Sequence, residues 1–348
     1  MPGIVGLLTR MPRARAEAEL SLMVEALRHE TDYETGTWID EHSGVYVGWI
    51  GRRNSVAAQM PLRNEQGDVV LVFSGEEYPD PDTVCRLKRR GHVVGPQSSS
   101  YLVHLAEEYP GFPANLNGRF QGLLTARSEG VATLFNDRYG IHRLYYHESR
   151  DAFYFAAEAK AILGVRPELR TVDPRGLGEF VACGCVLENR TLFTGVHVLP
   201  PGASWVFRQG TLERKGPYFE PREWEQQAPL DEEAYYEALR EIFSRNLPRY
   251  FGGPGRIAMS LTGGLDSRMI MAWQKSAPGT LPCFSFGSLF RENHDVQVAR
   301  KVAKACGQSY QVIELGHEFL ARFPQYAETF GFFRCAPGPA AHLLSPAA

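Results

Sequence analysis

The chain lacks what would make it a membrane protein, a disulfide scaffold or a nucleic-acid binder. No stretch approaches the roughly 20 consecutive apolar residues of a membrane-spanning helix, so no membrane partner is expected. Cysteine is sparse: Cys85, Cys183, Cys185, Cys283, Cys306 and Cys335, with no Cys-x-x-Cys among them. Cys183-Gly-Cys185 alone is a poor metal signature, and reduced, mostly buried thiols of a cytoplasmic protein are the expectation. A basic excess is missing too: 37 Lys and Arg stand against 40 Asp and Glu, for a formal charge of −3. A nucleic-acid surface usually shows the opposite balance. The opening residues, Met1 to Thr9, have no basic leader and only a short apolar run, so they do not read as a secretory signal. Internal repeats are absent. Neither the Gly-x-x-x-x-Gly-Lys-Ser/Thr nor the Gly-x-Gly-x-x-Gly phosphate loop occurs.

What is present suffices for real cores. Of 348 residues, 44% are hydrophobic and 22% charged, and the length predicts two domains. The first two hundred residues read as many strands with few helices. Strands are expected at Ile4 to Leu8, Gly44 to Ile50, Val69 to Phe73, Gly122 to Arg127, Ala132 to Asn136, Leu144 to His147 and Phe153 to Ala156. Helices are expected at Glu17 to Arg28, with Leu20, Met23, Val24 and Leu27 at helical spacing, and at Ser98 to Tyr109. That mixture predicts a layered α+β domain. From Asp231 the order changes to helix (Glu232 to Arg245, with Tyr235, Leu239, Ile242 and Phe243 on one face), strand, helix, strand (Pro282 to Gly287) and helix from Asp295. Strand alternating with helix is the pattern of a parallel α/β sheet. The domains are placed at 1–210 and 231–348, with a linker at 211–230.

One stretch carries chemistry: Ser260-Leu261-Thr262-Gly263-Gly264-Leu265-Asp266-Ser267, after the apolar run Ile257 to Met259. A strand, a glycine pair and a helix start make an anion site, because the first helical turn has free N–H groups and a partial positive charge. Glycines let the backbone approach a phosphate with no Cβ in the way. Thr262 and Ser267 add hydroxyl donors, and Asp266 is placed to hold Mg2+ against the phosphates.

The loop resembles the Ser-Gly-Gly-x-Asp-Ser pyrophosphate loop of the ATP pyrophosphatases, with Thr262 for the first serine. Together with the N-terminal half, it resembles the glutamine-dependent asparagine synthetases. Pro2-Gly3-Ile4-Val5-Gly6 is similar to that family's Cys-Gly-Ile-Val-Gly. Phe73-Ser74-Gly75-Glu76-Glu77-Tyr78 is similar to Phe-Asn-Gly-Glu-Ile-Tyr, and Leu116-Asn117-Gly118-Arg119-Phe120 to Leu-Asn-Gly-Met-Phe. Asn136 to Tyr146 is similar to Arg-Asp-Arg-Phe-Gly-Ile-Lys-Pro-Leu-Tyr-Tyr, and Phe155 to Leu163 to Phe-Ala-Ser-Glu-Ile-Lys-Ala-Leu. The resemblance implies a four-layer αββα amidohydrolase-like sandwich followed by a truncated parallel-sheet ATP pyrophosphatase domain. It further implies a ligase that adenylates a carboxylate and lets an amine or ammonia attack, using ATP and Mg2+. The carboxylate would be a small molecule or a peptide, and a homodimer is among the assemblies allowed. Ser260, Leu261, Thr262, Gly263, Gly264, Asp266, Ser267 and Phe286 would form the ATP site, with Leu261 and Phe286 flanking adenine.

The departures from that family are specific. Where it has a nucleophilic cysteine, this chain has Pro2, which carries neither thiol nor hydroxyl. Ser74 replaces the oxyanion-hole asparagine beside Gly75 and Glu76, Ser98 replaces the aspartate that grips the substrate amine, and Arg53 stands for the carboxylate-binding arginine. The glutaminase is therefore expected to be inactive, as in the β-lactam synthetases and lasso-peptide cyclases, which form an amide within one substrate. Only 81 of the 348 residues follow Ser267, and neither an acidic Gly-Asp-Glu motif nor the family's catalytic lysine is found there. A truncated, non-catalytic fragment is the alternative, and a tRNA-thiolating pyrophosphatase a distant third. His142 is read as a solvated loop histidine, and Asn293 or Asp295 as a helix N-cap, with Asp295 also a candidate near substrate.

Overall fold

The computed structural model describes residues 3–29, 33–53, 55–95, 99–252, 255–289 and 291–326. It divides into two compact units, Met1–Gln227 and Ala228–Ala348.

The first unit is built on strands with helices inserted between them. In chain order come β1 (Gly3–Thr9), α1 (Arg13–Leu27), β2 (Tyr33–Asp40), β3 (Val45–Arg52), β4 (Leu62–Arg63), β5 (Val69–Glu77), α2 (Thr83–Arg89) and α3 (Tyr101–Glu108). There follow β6 (Gly118–Ala126), β7 (Val131–Asn136), β8 (Tyr145–Glu148), β9 (Ala152–Ala156), α4 (Ala159–Val165), α5 (Pro174–Cys183), β10 (His197–Val198), β11 (Ser204–Arg208) and β12 (Thr211–Arg214). They form two six-stranded sheets, ordered β10-β8-β9-β1-β3-β2 and β12-β11-β7-β6-β5-β4. Every pairing in both is antiparallel.

The layering follows from side-chain alternation along central strands. In β1, Ile4 and Leu8 enter the core shared with Phe73, Phe120 and Phe135 of the second sheet. Val5 and Leu7 turn the other way and pack with Leu20, Met23 and Leu27 of α1 and Ile162 of α4. In β3, Val45, Val47 and Trp49 take the inter-sheet side, and Tyr46 and Ile50 the helix side. Leu87 of α2 and Leu102, Val103 and Leu105 of α3 join the core on the second sheet. The expected helix–sheet–sheet–helix sandwich is what the chain builds.

The boundary falls later than 210. β12 extends the second sheet, Tyr218 donates its hydroxyl to the Asn136 carbonyl at 2.8 Å, and Phe219 packs edge-on to Tyr139. Much of the expected linker therefore belongs to the sandwich. The thiols also depart from expectation: Cys85, Cys183 and Cys185 are exposed, Cys283 is buried and Cys306 lies between. Cys183 closes α5, whose Leu177, Phe180 and Val181 are themselves exposed. Cys335 lies outside the described residues.

The first unit closes with α6 (Arg222–Glu225), and the second unit follows from Ala228. It contains α7 (Glu232–Phe251), β13 (Met259–Ser260), α8 (Leu265–Gln274), β14 (Cys283–Ser288), α9 (His294–Ala305) and β15 (Tyr310–Leu315). The strands are parallel, in the order β13-β14-β15, with α8 and α9 as crossovers. Leu261, Met271, Leu281, Cys283, Ala299 and Ala303 make its core. The expected α7 is present, but Tyr235, Leu239 and Ile242 are exposed; Phe243 meets Trp273 edge-on at 5.7 Å.

Candidate functional site

Two groups of residues correspond to the expected sites, one in each unit. In the sandwich, the turn after β7 is organised by Asp137, which is fully buried. Its carboxylate accepts from the backbone N–H groups of Phe120, Tyr139, Ile141 and His142 at 2.9–3.2 Å. Four donors on one carboxylate fold the turn back over β6 and fix His142 beside Gln121. His142 is consequently not a solvated loop residue. Burial pushes its imidazole below the ordinary histidine value, with Asp137 opposing, and its Nδ1 accepts from Gln121 Nε2 at 2.8 Å. Gln121 is fully buried, and its Oε1 has no hydrogen-bond partner among the described residues. A Cβ built on Gly3 would lie 2.1 Å from Ala157 Cβ and 3.3 Å from Gln121 Nε2, so the chain start presses against both.

Register brings the expected pocket residues to the same place: Ser74 is opposite Gln121, Gly75 opposite Phe120 and Glu76 opposite Arg119. Ser74 is buried. Gly75 has φ +131°, and a Cβ there would meet the Arg119 carbonyl at 2.2 Å, so only glycine fits. Glu76 accepts from Arg119 Nε and Nη2 at 3.1 and 2.8 Å and from the Tyr78 hydroxyl at 2.8 Å. Burial works to raise its carboxyl, but Arg119 and Tyr78 outweigh it and hold the group below the usual range. Arg119 stands where the resembling motif has methionine, and it ties up the carboxylate at this rim. Arg53 lies apart from this group: its side chain is exposed and pairs with Glu34 at 3.5 Å. Pro2 and Ser98 lie outside the described residues. Sequence reading passed over Gln121 and Arg119 as partners, although both sit in the Leu116 to Phe120 motif or directly after it.

In the second unit the loop runs from β13 into α8. Thr262 and Ser267 hold it closed. Thr262 N–H donates to Ser267 Oγ at 3.2 Å, and Gly264 N–H donates to Thr262 Oγ1 at 3.1 Å. Gly263 N–H donates to Asp295 Oδ1 at 3.0 Å, and a Cβ on Gly263 would come within 2.6 Å of that oxygen. The helix α9 that delivers Asp295 is capped by Asn293, whose Oδ1 accepts from Val296 N–H at 2.8 Å. Asn293 is thus the cap, and Asp295 is left to face the loop. Asp266 is exposed in the first turn of α8, and Ser260 and Thr262 are exposed too. Phe286 is exposed on β14 beside Phe284. Leu261 is completely buried in the core. Its side chain is not available to flank a base, and its carbonyl accepts from Ser285 Oγ. The strand before the loop is two residues long rather than a buried run, because β13 has β14 alone as neighbour among the described residues.

No described helix is long and apolar enough to cross a membrane. A family model described as a glutamine amidotransferase domain matches residues 1–219. Among curated relatives, an asparagine synthetase [glutamine-hydrolyzing] of Bacillus subtilis is 26% identical over 325 residues, covering 88% of this chain and 49% of the relative. The amidase chyE of Penicillium rubens is 23% identical over 340 residues, with 88% and 49% covered. The chain spans about half the length of these relatives. Among solved structures, the glutamine phosphoribosylpyrophosphate amidotransferase of B. subtilis, complexed with ADP and GMP, aligns at TM-score 0.44 and 13% identity, covering 89% of this chain and 65% of that one.

Proposed function

Because this chain belongs to the glutamine amidotransferase domain family, we propose that it serves an ATP-dependent amide-forming ligase whose glutaminase lobe no longer hydrolyses glutamine. Pro2 offers no nucleophile for a covalent glutaminyl step. The rim residue Glu76 is engaged by Arg119. The amine would then be ammonia or an amine carried by the substrates themselves.

The observation that carries the ATP reading is the Gly263 N–H, presented at the start of α8 and already satisfied by an anion, the Asp295 carboxylate. Pyrophosphate oxygens are the natural competitor for that donor. The residues present fit the nucleotide. Thr262, Gly263, Gly264 and Ser267 supply hydroxyl and N–H donors, Asp266 and Asp295 supply carboxylates for Mg2+, and Phe286 supplies an exposed ring on the neighbouring strand. When bound, Mg2+ would neutralise the leaving pyrophosphate, the charge that builds as a substrate carboxylate is adenylated. The chain's own part is to fix that leaving group by donors already oriented. Supporting this reading, curated relatives across most of the chain are named asparagine synthetases.

The test has two arms. Ammonia release from glutamine should be absent, and pyrophosphate should exchange into ATP in the presence of a suitable carboxylic acid. Glutamine hydrolysis by the purified chain would refute the first half. A folded chain with no exchange, whose nucleotide binding is untouched by Asp266→Ala, would refute the second.

A further inference from the structure

Four side chains from three separate segments of the sandwich converge: Glu65 in the turn between β4 and β5, His92 after α2, and His104 and Glu107 one turn apart on α3. One ligand atom from each lies within 4.8 Å of all the others. His104 Nδ1 stands 2.9 Å from Glu107 Oε2 and 3.6 Å from Glu65 Oε2. His92 Nδ1 stands 3.8 Å from Glu65 Oε1 and 3.9 Å from Glu107 Oε2. Ligands about 2.0–2.2 Å from a tetrahedral ion are separated by roughly 3.3–3.6 Å, so these spacings bracket the required edges.

We propose that Glu65, His92, His104 and Glu107 form a structural site for a divalent transition metal of the Zn2+ type. Two imidazoles and two carboxylates suit zinc by donor chemistry, and four protein ligands leave no open position for catalysis. The surroundings are those of a metal site as well. His92 Nε2 lies 3.0 Å from Glu108 Oε1, the carboxylate–histidine arrangement that orients a ligating ring. Glu107 Oε1 accepts from Asn64 Nδ2 at 2.7 Å, which holds that carboxylate in place. The Val93 N–H donates to Glu65 Oε1 at 2.8 Å, which holds that carboxylate in place as well. His104 is 2% exposed, and the two rings lie 4.5 Å apart. A bound ion would clip the β4–β5 turn and the end of α2 to α3.

The experiment uses the full chain without a polyhistidine tag, stripped with chelator and titrated with Zn2+ against a chromophoric competitor. One Zn2+ per chain is expected, with a rise in Tm. Co2+ in its place should give the intense visible absorption of a four-coordinate site. His92→Gln and Glu65→Gln each should weaken Zn2+ binding at least tenfold, with circular dichroism of the stripped chain unchanged. His42→Gln, on an exposed loop residue, should leave binding as it was. The buried His104 is avoided because its loss could unfold the chain. Less than stoichiometric zinc at micromolar concentration, an octahedral Co2+ spectrum, or undiminished binding in both variants would overturn the proposal.

Discussion

The sandwich sets Phe73, Phe120, Phe135, Phe155 and Phe207 between two six-stranded sheets with essentially no exposure. The second unit rests on three parallel strands and a core of Leu261, Met271, Leu281, Cys283, Ala299 and Ala303. The proposed chemistry is distributed the other way. In the sandwich Gly75 has a positive φ, Glu76 is engaged by Arg119, and Pro2 carries neither thiol nor hydroxyl. The second unit leaves Thr262, Gly264 and Asp266 exposed at a helix start. On the proposed reading, the larger packed core and the nucleotide loop belong to different units.

The sharpest way to break that contrast is to damage the scaffold alone. Phe155→Ala should destabilise the sandwich by about 3–5 kcal/mol, read in urea, because a buried ring leaves a cavity between sheets. Mg-ATP affinity under folding conditions should not change, and a parallel loss of affinity would merge the two units functionally. Next in size is Asp137→Ala, which strips four backbone donors of their acceptor. With orphaned buried donors costing about 1–3 kcal/mol each and partial rescue by water, a loss of about 3 kcal/mol is expected in the same titration. A loss under about 0.5 kcal/mol would mean the turn is held by something else.

The smallest effect is a pH dependence confined to the sandwich. Burial lowers Lys160 from 10.5 to about 8. Between those values the unfolded chain holds more protons than the folded one, so this group makes stability rise with pH from about 8 towards 10.5. Lys160→Met should remove that slope from the pH–stability curve while leaving nucleotide binding alone, and an unchanged slope would assign it to other groups.

Much of the fold was legible because its strands are long apolar runs, as at Ile4 to Leu8 and Val69 to Phe73, and because Leu20, Met23 and Leu27 repeat at helical spacing. β2 was not, since Tyr33–Asp40 mixes Glu34, Gly36 and Thr37 among its apolar residues and pairs with β3 along its whole length. α5 went unseen although Asp173 caps it, accepting from Arg175 N–H, and Pro174 starts it. The strand, loop and helix around Ser260–Ser267 were readable because their pattern is local. Glu76 with Arg119 and Gln121 with His142 were not, because β5–β6 register and the Asp137 turn create those meetings. In the His–Glu cluster, His104-x-x-Glu107 is visible as a one-turn helix pair, while Glu65 and His92 arrive from other segments.

Equilibrium binding of Mg-ATP to the full chain, compared with Asp266→Ala, tests the central claim most directly. Asp266 is exposed and belongs to no core, so the variant should remain folded. The account predicts saturable binding that weakens at least tenfold in the variant, about 1.4 kcal/mol or more. Equal affinity in the two proteins, or no binding by either, would contradict it.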